Sequence, residues 1–309
     1  MHHGFSSQTK PLKLLEREEY IEQAHLFRVI GQRLSENMPM QELLAQIRHE
    51  ILSTARLPLA IDYMLAELKH AGTMSTAMLR LKHYFTPFQA YVMQEAENDR
   101  GRFDFRIAVE ILEAEAKYRA SECTRQGLFL FQFECLCRNR MRYDPGLGAI
   151  ASDDFFDEEW KEWIYTVRRQ VGLVDFADMI YVRSTYSIKV LRQQNGEEKI
   201  PDKPMLFGEQ EGKIAFANRR KDPLFLFSAL QRQLGYPAVP RPKAPDESQK
   251  LLRMLELKVE RLEARIKLLE EEEKGGIDIA KFYTPSSPDL KRVSPPDDIG
   301  FMGKPGIDL

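Results

Sequence analysis

The chain has 309 residues, of which 43% are hydrophobic and 30% are charged, and its formal net charge is −2 at pH 7. This length is typical of about two domains, and the near-zero net charge excludes a strong overall attraction to nucleic acid or to an anionic membrane. No apolar run reaches the about 18 residues that a membrane span needs, and the start MHHGFSSQTKPLK has no apolar segment like that of a secretory signal. Three cysteines do not make a disulfide framework, so we expect a cytoplasmic protein with no membrane partner.

Residues 11–145 show a helical hydrophobic period almost throughout and predict an antiparallel helical bundle with short connections. The clearest helix start is Thr86-Pro87-Phe88-Gln89, a capping box with proline in the first turn. Asp104 is a second N-cap, and Gly72 ends an earlier helix. The run Gly127–Cys137 alternates like a strand, but its helical neighbours favour a buried helix. The periodicity of this run alone is compatible with either a strand or a helix.

Residues 146–236 differ in character and predict a small α+β module. A helix with one apolar face is expected over Glu158–Arg169, and another runs from an N-cap at Asp222 to Gly235. Three runs between these helices have the composition of strands: Ile180–Val190, Met205–Phe207 and Lys213–Ala217. The last two flank a glycine-rich loop, Gly208–Gly212, which is typical of a hairpin.

The C-terminal part is predicted to leave the globular part through a proline-rich spacer. Residues 237–247 include PAVPRPKAP, which is typical of an extended, semi-rigid segment. Residues 248–274 follow with the pattern of a coiled coil, and Gly275-Gly276 is expected to end that helix. Residues 275–309 are rich in Pro, Gly, Ser and Asp, and we expect them to be disordered.

The coiled-coil prediction rests on a seam of apolar residues whose spacings alternate between three and four, the period of a heptad. Positions a and d of the heptad are filled by Leu252, Val259, Ile266 (a) and Leu255, Leu262, Leu269 (d). β-Branched residues at a, with leucine at d, favour a parallel dimer. We therefore predict that the chain pairs with a second copy of itself.

The charges beside the seam favour the same arrangement. Glutamate fills the three e positions and cations fill two g positions: Glu256, Glu263, Glu270, Lys258 and Arg265. In a parallel pair each of these cations faces a glutamate of the second chain, whereas an antiparallel pair opposes like charges. The alternative is one helix packed on its own globular part, because Leu251, Met254, Leu257 and Leu268 widen the apolar stripe beyond the seam.

A metal-dependent oxidoreductase is a first alternative function. Two Glu-x-x-His patterns on predicted helices, Glu22 with His25 and Glu67 with His70, each place an acid and an imidazole on one helical face. Paired motifs of this kind build di-iron carboxylate sites in helical bundles. Such patterns also arise by chance in a chain rich in glutamate. We therefore predict no cofactor and keep these four residues as the candidate metal ligands.

Nucleic-acid binding is a second alternative. It depends on two basic clusters: Arg138, Arg140, Arg142 and Arg219, Arg220, Lys221. Cations beside aromatic residues, here Tyr143 and Phe216, suit contacts to phosphates and bases. The chain also holds 47 acidic residues, which favour solvated or ion-paired surfaces, so nucleic acid is not the partner we expect.

The sequence contains no phosphate-binding loop, nucleophile elbow, zinc-protease motif or kinase signature. We therefore predict a mostly α, non-enzymatic interaction or scaffold protein. In this interpretation it is a homodimer held by its parallel coiled coil, and it binds a further protein that the sequence does not identify.

Overall fold

The computed structural model describes residues 15–34, 38–52, 55–98, 103–195, 203–241 and 247–273, and the regular structure among them is helical. The predicted mostly-α class is confirmed. The described residues form fourteen helices: α1 (Arg17–Arg33), α2 (Met40–Glu50), α3 (Leu57–Ala71), α4 (Met74–Arg80), α5 (Pro87–Ala96), α6 (Phe105–Ala120), α7 (Arg125–Arg138), α8 (Tyr143–Ala151), α9 (Glu158–Gln170), α10 (Phe176–Val182), α11 (Thr185–Asn195), α12 (Glu209–Ala217), α13 (Pro223–Leu234) and α14 (Glu247–Glu273).

The chain divides into two compact units, Met1–Pro242 and Lys243–Leu309. The first unit has one continuous hydrophobic core, to which the helices α1–α10, α12 and α13 all contribute buried side chains. Leu136 on α7 and Leu147 on α8 belong to the same core, so burial is continuous across the predicted boundary at residue 145. The described part of the second unit is α14.

Helix α1 packs along α6 and forms the most extensive helix pair of the first unit. Its apolar residues recur at the helical period, and Leu26, Phe27 and Ile30 are fully buried. Helices α2 to α5 follow with short connections and pack mainly on their neighbours in sequence. This arrangement is bundle-like, as the helical period of residues 11–145 predicts.

A buried network of amide side chains fixes α5 against α1. Thr86 and Gln89 form the predicted capping box, in which Thr86 Oγ1 accepts from the Gln89 amide and Gln89 Oε1 accepts from the Thr86 amide. Gln89 Nε2 also donates to Gln23 Oε1 at 3.0 Å, and Gln23 Nε2 donates to the carbonyl of Tyr84 at 3.1 Å. Both glutamines are fully buried, so each of these bonds replaces a contact with water.

The structure does not support the predicted α+β module, because the described residues of 146–236 contain no strand. Residues 180–190 fall in α10, a turn and α11, and residues 213–217 are the end of α12. Residues 205–207 form no strand, and Phe207 makes only an isolated bridge with Ser184. The predicted hairpin loop, Gly208–Gly212, is instead the start of α12.

Local contacts explain why α12 is a helix. Glu209 and Lys213 form an ion pair at 2.8 Å one helical turn apart, which stabilises the first turns of the helix. Gly212 lies against Ser184, and a Cβ at position 212 would stand only 2.3 Å from Ser184 Oγ. The glycine that resembled part of a hairpin therefore permits close helix packing.

Residues 127–137 are helical, as their neighbours favour. They lie within α7, which Thr124 caps by accepting from the amide of Gly127. Both faces of this helix are buried, which explains the missing helical period. The Phe129 ring lies 4.9 Å from Trp163 and the Phe133 ring lies 4.7 Å from Phe176, so α7 packs on α9 and α10 through aromatic contacts.

The start of the predicted spacer is bound to the first unit. Tyr236 is buried and donates from its hydroxyl to Glu134 Oε2 at 2.8 Å. Asn139 Nδ2 donates to the carbonyl of Pro240 at 3.1 Å, which fixes residues 236–240 on the end of α7. Residues 242–246 and 274–309, which hold the rest of the spacer and the predicted disordered tail, lie outside the described residues.

None of the described helices is both long enough and apolar enough to cross a membrane.

We predict that Gln89→Ala destabilises the protein by about 2–4 kcal/mol. It removes half of the capping box and leaves the side chain of Gln23 with an unpaired buried oxygen. The free energy of unfolding, measured with urea, checks this value. Gln94→Ala on the same helix is the matched control, because Gln94 is exposed, and it should change stability by less than about 0.5 kcal/mol. Equal effects of the two changes would contradict the role of the network.

Candidate functional site

The surface of α14 is the largest concentration of exposed apolar residues among the described residues. All six predicted seam residues lie on this helix and are between 49% and 59% exposed: Leu252, Leu255, Val259, Leu262, Ile266 and Leu269. Large apolar side chains are normally buried in folded chains, and a contiguous exposed patch marks an interaction surface. The seam is therefore the strongest candidate site in the described part of the protein.

The helical backbone gives the seam its geometry. With 27 residues at about 1.5 Å each, α14 is about 40 Å long. The a and d positions fall on one stripe, and the glutamates at e and the cations Lys258 and Arg265 at g flank it on opposite sides. All of these charged side chains are exposed. Such a surface can bind another helix by covering the stripe and pairing its charged edges.

The four candidate metal ligands are not brought together. Glu22 and His25 lie on α1, and Glu67 and His70 lie on α3. Glu67 forms an ion pair with Arg80 at 2.5 Å, and His25 Nδ1 lies 2.8 Å from Arg28 Nη2. No group of three or more His, Cys, Asp or Glu side chains suited to a metal ion occurs within the described ranges. The metal hypothesis has no geometric support there.

Half of the residues in the two basic clusters form ion pairs with acids of the protein. Arg138 pairs with Glu134 at 2.5 Å, and Arg142 pairs with Glu95 at 2.5 Å. Arg140, Arg220 and Lys221 are exposed. The ion pairs of Arg138 and Arg142 lower the local positive charge that a phosphate group would meet.

Arg219 is occupied by contacts within the protein. It forms an ion pair with Asp178 at 2.6 Å, and its guanidinium lies 3.9 Å from the ring centre of Tyr181 and 4.6 Å from that of Phe216. These cation–π contacts hold α10 against the end of α12. Arg219 therefore stabilises helix packing, and a base could stack there only by displacing these contacts.

A buried charge cluster lies between α6, α7 and the residues after α8. Arg119 donates from Nε and Nη2 to Glu115 Oε1, at 3.1 and 3.0 Å, and it also pairs with Asp153. Gln132 Nε2 donates to the same Glu115 oxygen at 2.8 Å. The side chains of all three charged residues are at most 3% exposed. The sequence shows the Glu115–Arg119 spacing of four, but nothing in it predicts that Asp153 completes the cluster.

The electrostatics of this cluster are unbalanced, because two carboxyl groups share one guanidinium. Burial raises the pKa of the Glu115 carboxyl, Arg119 opposes this effect, and Asp153 adds to it. Glu115 Oε2 and Gln132 Oε1 have no hydrogen-bond partner in the described structure. Since the cluster is closed to solvent, it can hold helices together but cannot meet a substrate directly.

Comparison of the chain with protein-family models, with curated proteins and with solved structures found no match.

We predict that Arg119→Met destabilises the protein by about 3–5 kcal/mol, because it leaves two buried carboxyl groups without a cation. Urea unfolding monitored by circular dichroism measures the change. Arg106→Met on the same helix is the matched control, since Arg106 is exposed. A loss below about 1 kcal/mol for Arg119→Met would show that the cluster is not structural.

We predict that Glu115→Gln reduces the pH dependence of stability. The folded protein holds the Glu115 proton more tightly than the unfolded chain, so its stabilising contribution is complete below the ordinary carboxyl pKa of 4.5. That contribution is lost as pH rises from 4.5 through the raised pKa. Glu115→Gln should therefore gain stability relative to the native chain over this rise, as urea unfolding at a series of pH values would show. A constant difference across the series would contradict the assignment.

Proposed function

We propose that this protein is a non-enzymatic interaction protein that self-associates through α14, as a parallel coiled coil of two chains. The observation that supports it best is the row of six half-exposed apolar residues at heptad spacing. This row follows the a and d positions over the length of the described helix. A second copy supplies an identical row at the same spacing, so the two rows can interlock.

Burial of the exposed apolar side chains favours the pairing of two α14 helices. Most helical stability in proteins comes from packing of an apolar face rather than from helix propensity, and α14 keeps large apolar side chains exposed along its length. Full burial of a Leu, Val or Ile side chain contributes about 1.5–3 kcal/mol, so covering the remaining exposed half of six residues gives several kcal/mol. That gain opposes the entropy lost when two chains associate.

Two features of the sequence support a parallel pair. Val259 and Ile266 are β-branched residues at a, with leucine at d, and in parallel coiled coils this combination favours two chains. The e and g edges carry opposite charges, and only a parallel pair brings the e edge of one helix to the g edge of the other. In an antiparallel pair three glutamates would face glutamates, which is destabilising.

We predict that Leu262→Asp gives a single-chain mass in light scattering at concentrations where the native chain has twice that mass. Leu262 is a central d residue, and a charge there would be buried in the pair. Ala264→Asp is the matched control. It adds the same charge to the same helix at a position outside the seam, so we expect it to keep the double mass. The proposal fails if the native chain has the mass of one chain, or if Leu262→Asp leaves a double mass unchanged.

The relative orientation of the two α14 helices in a pair can be tested with an engineered disulfide. We predict that Leu255→Cys gives a cross-linked pair of chains under mild oxidation, because d residues of a parallel pair face each other. In an antiparallel pair centred on the seam, position 255 would lie opposite 266, so the two thiols would be about 16 Å apart along the helix, too far for a disulfide. Ala264→Cys, outside the seam, and the native chain with its own three cysteines are the controls. Equal cross-linking of Leu255→Cys and these controls would contradict the parallel pair.

A further inference from the structure

In the N-terminal half of α14 the exposed apolar stripe widens beyond the seam onto the side that faces away from a coiled-coil partner. This outward patch is centred on Met254 and Leu257, which are 58% and 65% exposed and occupy the outer heptad positions c and f. In a two-stranded coiled coil these positions point away from the partner, and they are normally polar. The proposed pairing through the seam would therefore leave this patch uncovered.

The residues around this patch are mainly basic. Met254 and Leu257, together with Lys258, Glu260 and Arg261, line a shallow hollow on the helix surface. Arg253 lies one turn before Leu257 on the same side. Lys258 faces the second chain in the proposed pair, so the cations left at the rim are Arg253 and Arg261, beside one acid, Glu260. Neither arginine forms an ion pair with another described side chain.

We infer that this outward patch, formed by Met254 and Leu257 with Arg253 and Arg261 beside them, binds an acidic amphipathic helix of another protein. Such a helix places apolar residues on Met254 and Leu257 and its carboxylates on the two arginines. Methionine suits this role because its flexible thioether adapts to different apolar partners. The inference rests on the proposed self-association, which covers the seam and leaves this side of α14 outermost.

The charges at the rim disfavour a second copy of the chain as the occupant. A parallel contact through the two outward faces would bring each arginine against its own copy. An antiparallel contact centred on the helix would bring Arg253 close to Lys267 and Glu260 close to Glu260. Both arrangements oppose like charges, whereas an acidic helix pairs with them.

An anionic membrane is also disfavoured. The whole of α14 has eight glutamates against six basic residues, so the helix has no net positive charge to attract acidic lipid. Arg265 and Lys267 lie among the glutamates of the C-terminal half, whereas cations outnumber acids at the rim of the outward patch.

Fluorescence anisotropy of full-length protein with a labelled synthetic peptide tests the inference. The peptide is an amphipathic helix with leucine at helical spacing and glutamate elsewhere, and the control peptide has lysine in place of each glutamate. We expect the acidic peptide to bind, the basic peptide to bind much more weakly, and the affinity for the acidic peptide to fall with rising salt. Equal binding of the two peptides, or no binding, would overturn the inference. Sedimentation with vesicles that contain phosphatidylserine, in the absence of peptide binding, would overturn it in favour of a membrane.

Two variants locate the binding site. Met254→Ser with Leu257→Ser should weaken binding of the acidic peptide about tenfold or more, as expected when the centre of a small contact is removed. Arg253→Glu with Arg261→Glu should reverse the preference between the two peptides. Ala264→Ser, two turns beyond Leu257, should change neither the affinity for the acidic peptide nor the preference between the two peptides. If the acidic peptide binds these variants as well as the native chain, the outward patch is not its site.

The mass of each variant, measured by light scattering on the same samples, distinguishes a failure of this inference from a failure of the proposed self-association. Variants of the outward patch should keep the double mass of the native chain, because they leave the seam intact. A double mass without peptide binding overturns the inference alone. A single-chain mass of the native protein contradicts the proposed self-association, whichever peptide binds.

Discussion

The buried guanidinium of Arg119 is the constraint on which the packing of the first unit depends. It joins Glu115 on α6 to Asp153 beyond α8, and Gln132 on α7 bonds to the same carboxyl group. Removing an arginine from water is favourable only when carboxylates replace the lost hydration at short range. The three segments must therefore meet at one point, and the apolar core of α1, α6 and α7 closes around it.

The capped helices could be predicted from the sequence because their signals are local. Thr86 with Gln89, Asp104 and Asp222 each cap a helix, and Gly72 and Gly235 end one. The sequence does not predict α8, because its two glycines lower the helix propensity of a nine-residue segment. Gly146 is needed there because a Cβ would stand 2.7 Å from the Leu136 side chain. Contacts of this kind join residues distant in sequence, and no local pattern reveals them.

The β-like runs gave a wrong expectation for the same reason. Among the described residues there is no strand with which residues 213–217 could pair. Helix α12 is stabilised instead by the ion pair of Glu209 with Lys213 and by packing on Ser184. For the candidate site, the sequence predicts the seam and its charged edges. The spacing of four between Glu134 and Arg138 is visible in the sequence. The partners of Arg142 and Arg219 are not, because Glu95 and Asp178 lie on other helices.

In the proposed function the first unit is a helical body held together around the buried charge cluster, and α14 is the surface through which two chains associate. The most direct measurement is hydrogen–deuterium exchange of the full chain at several protein concentrations. If a second copy stabilises α14, protection of the amides in residues 251–270 rises with concentration, while protection of α6 stays constant. Protection in α14 that does not change with concentration would contradict self-association through this helix.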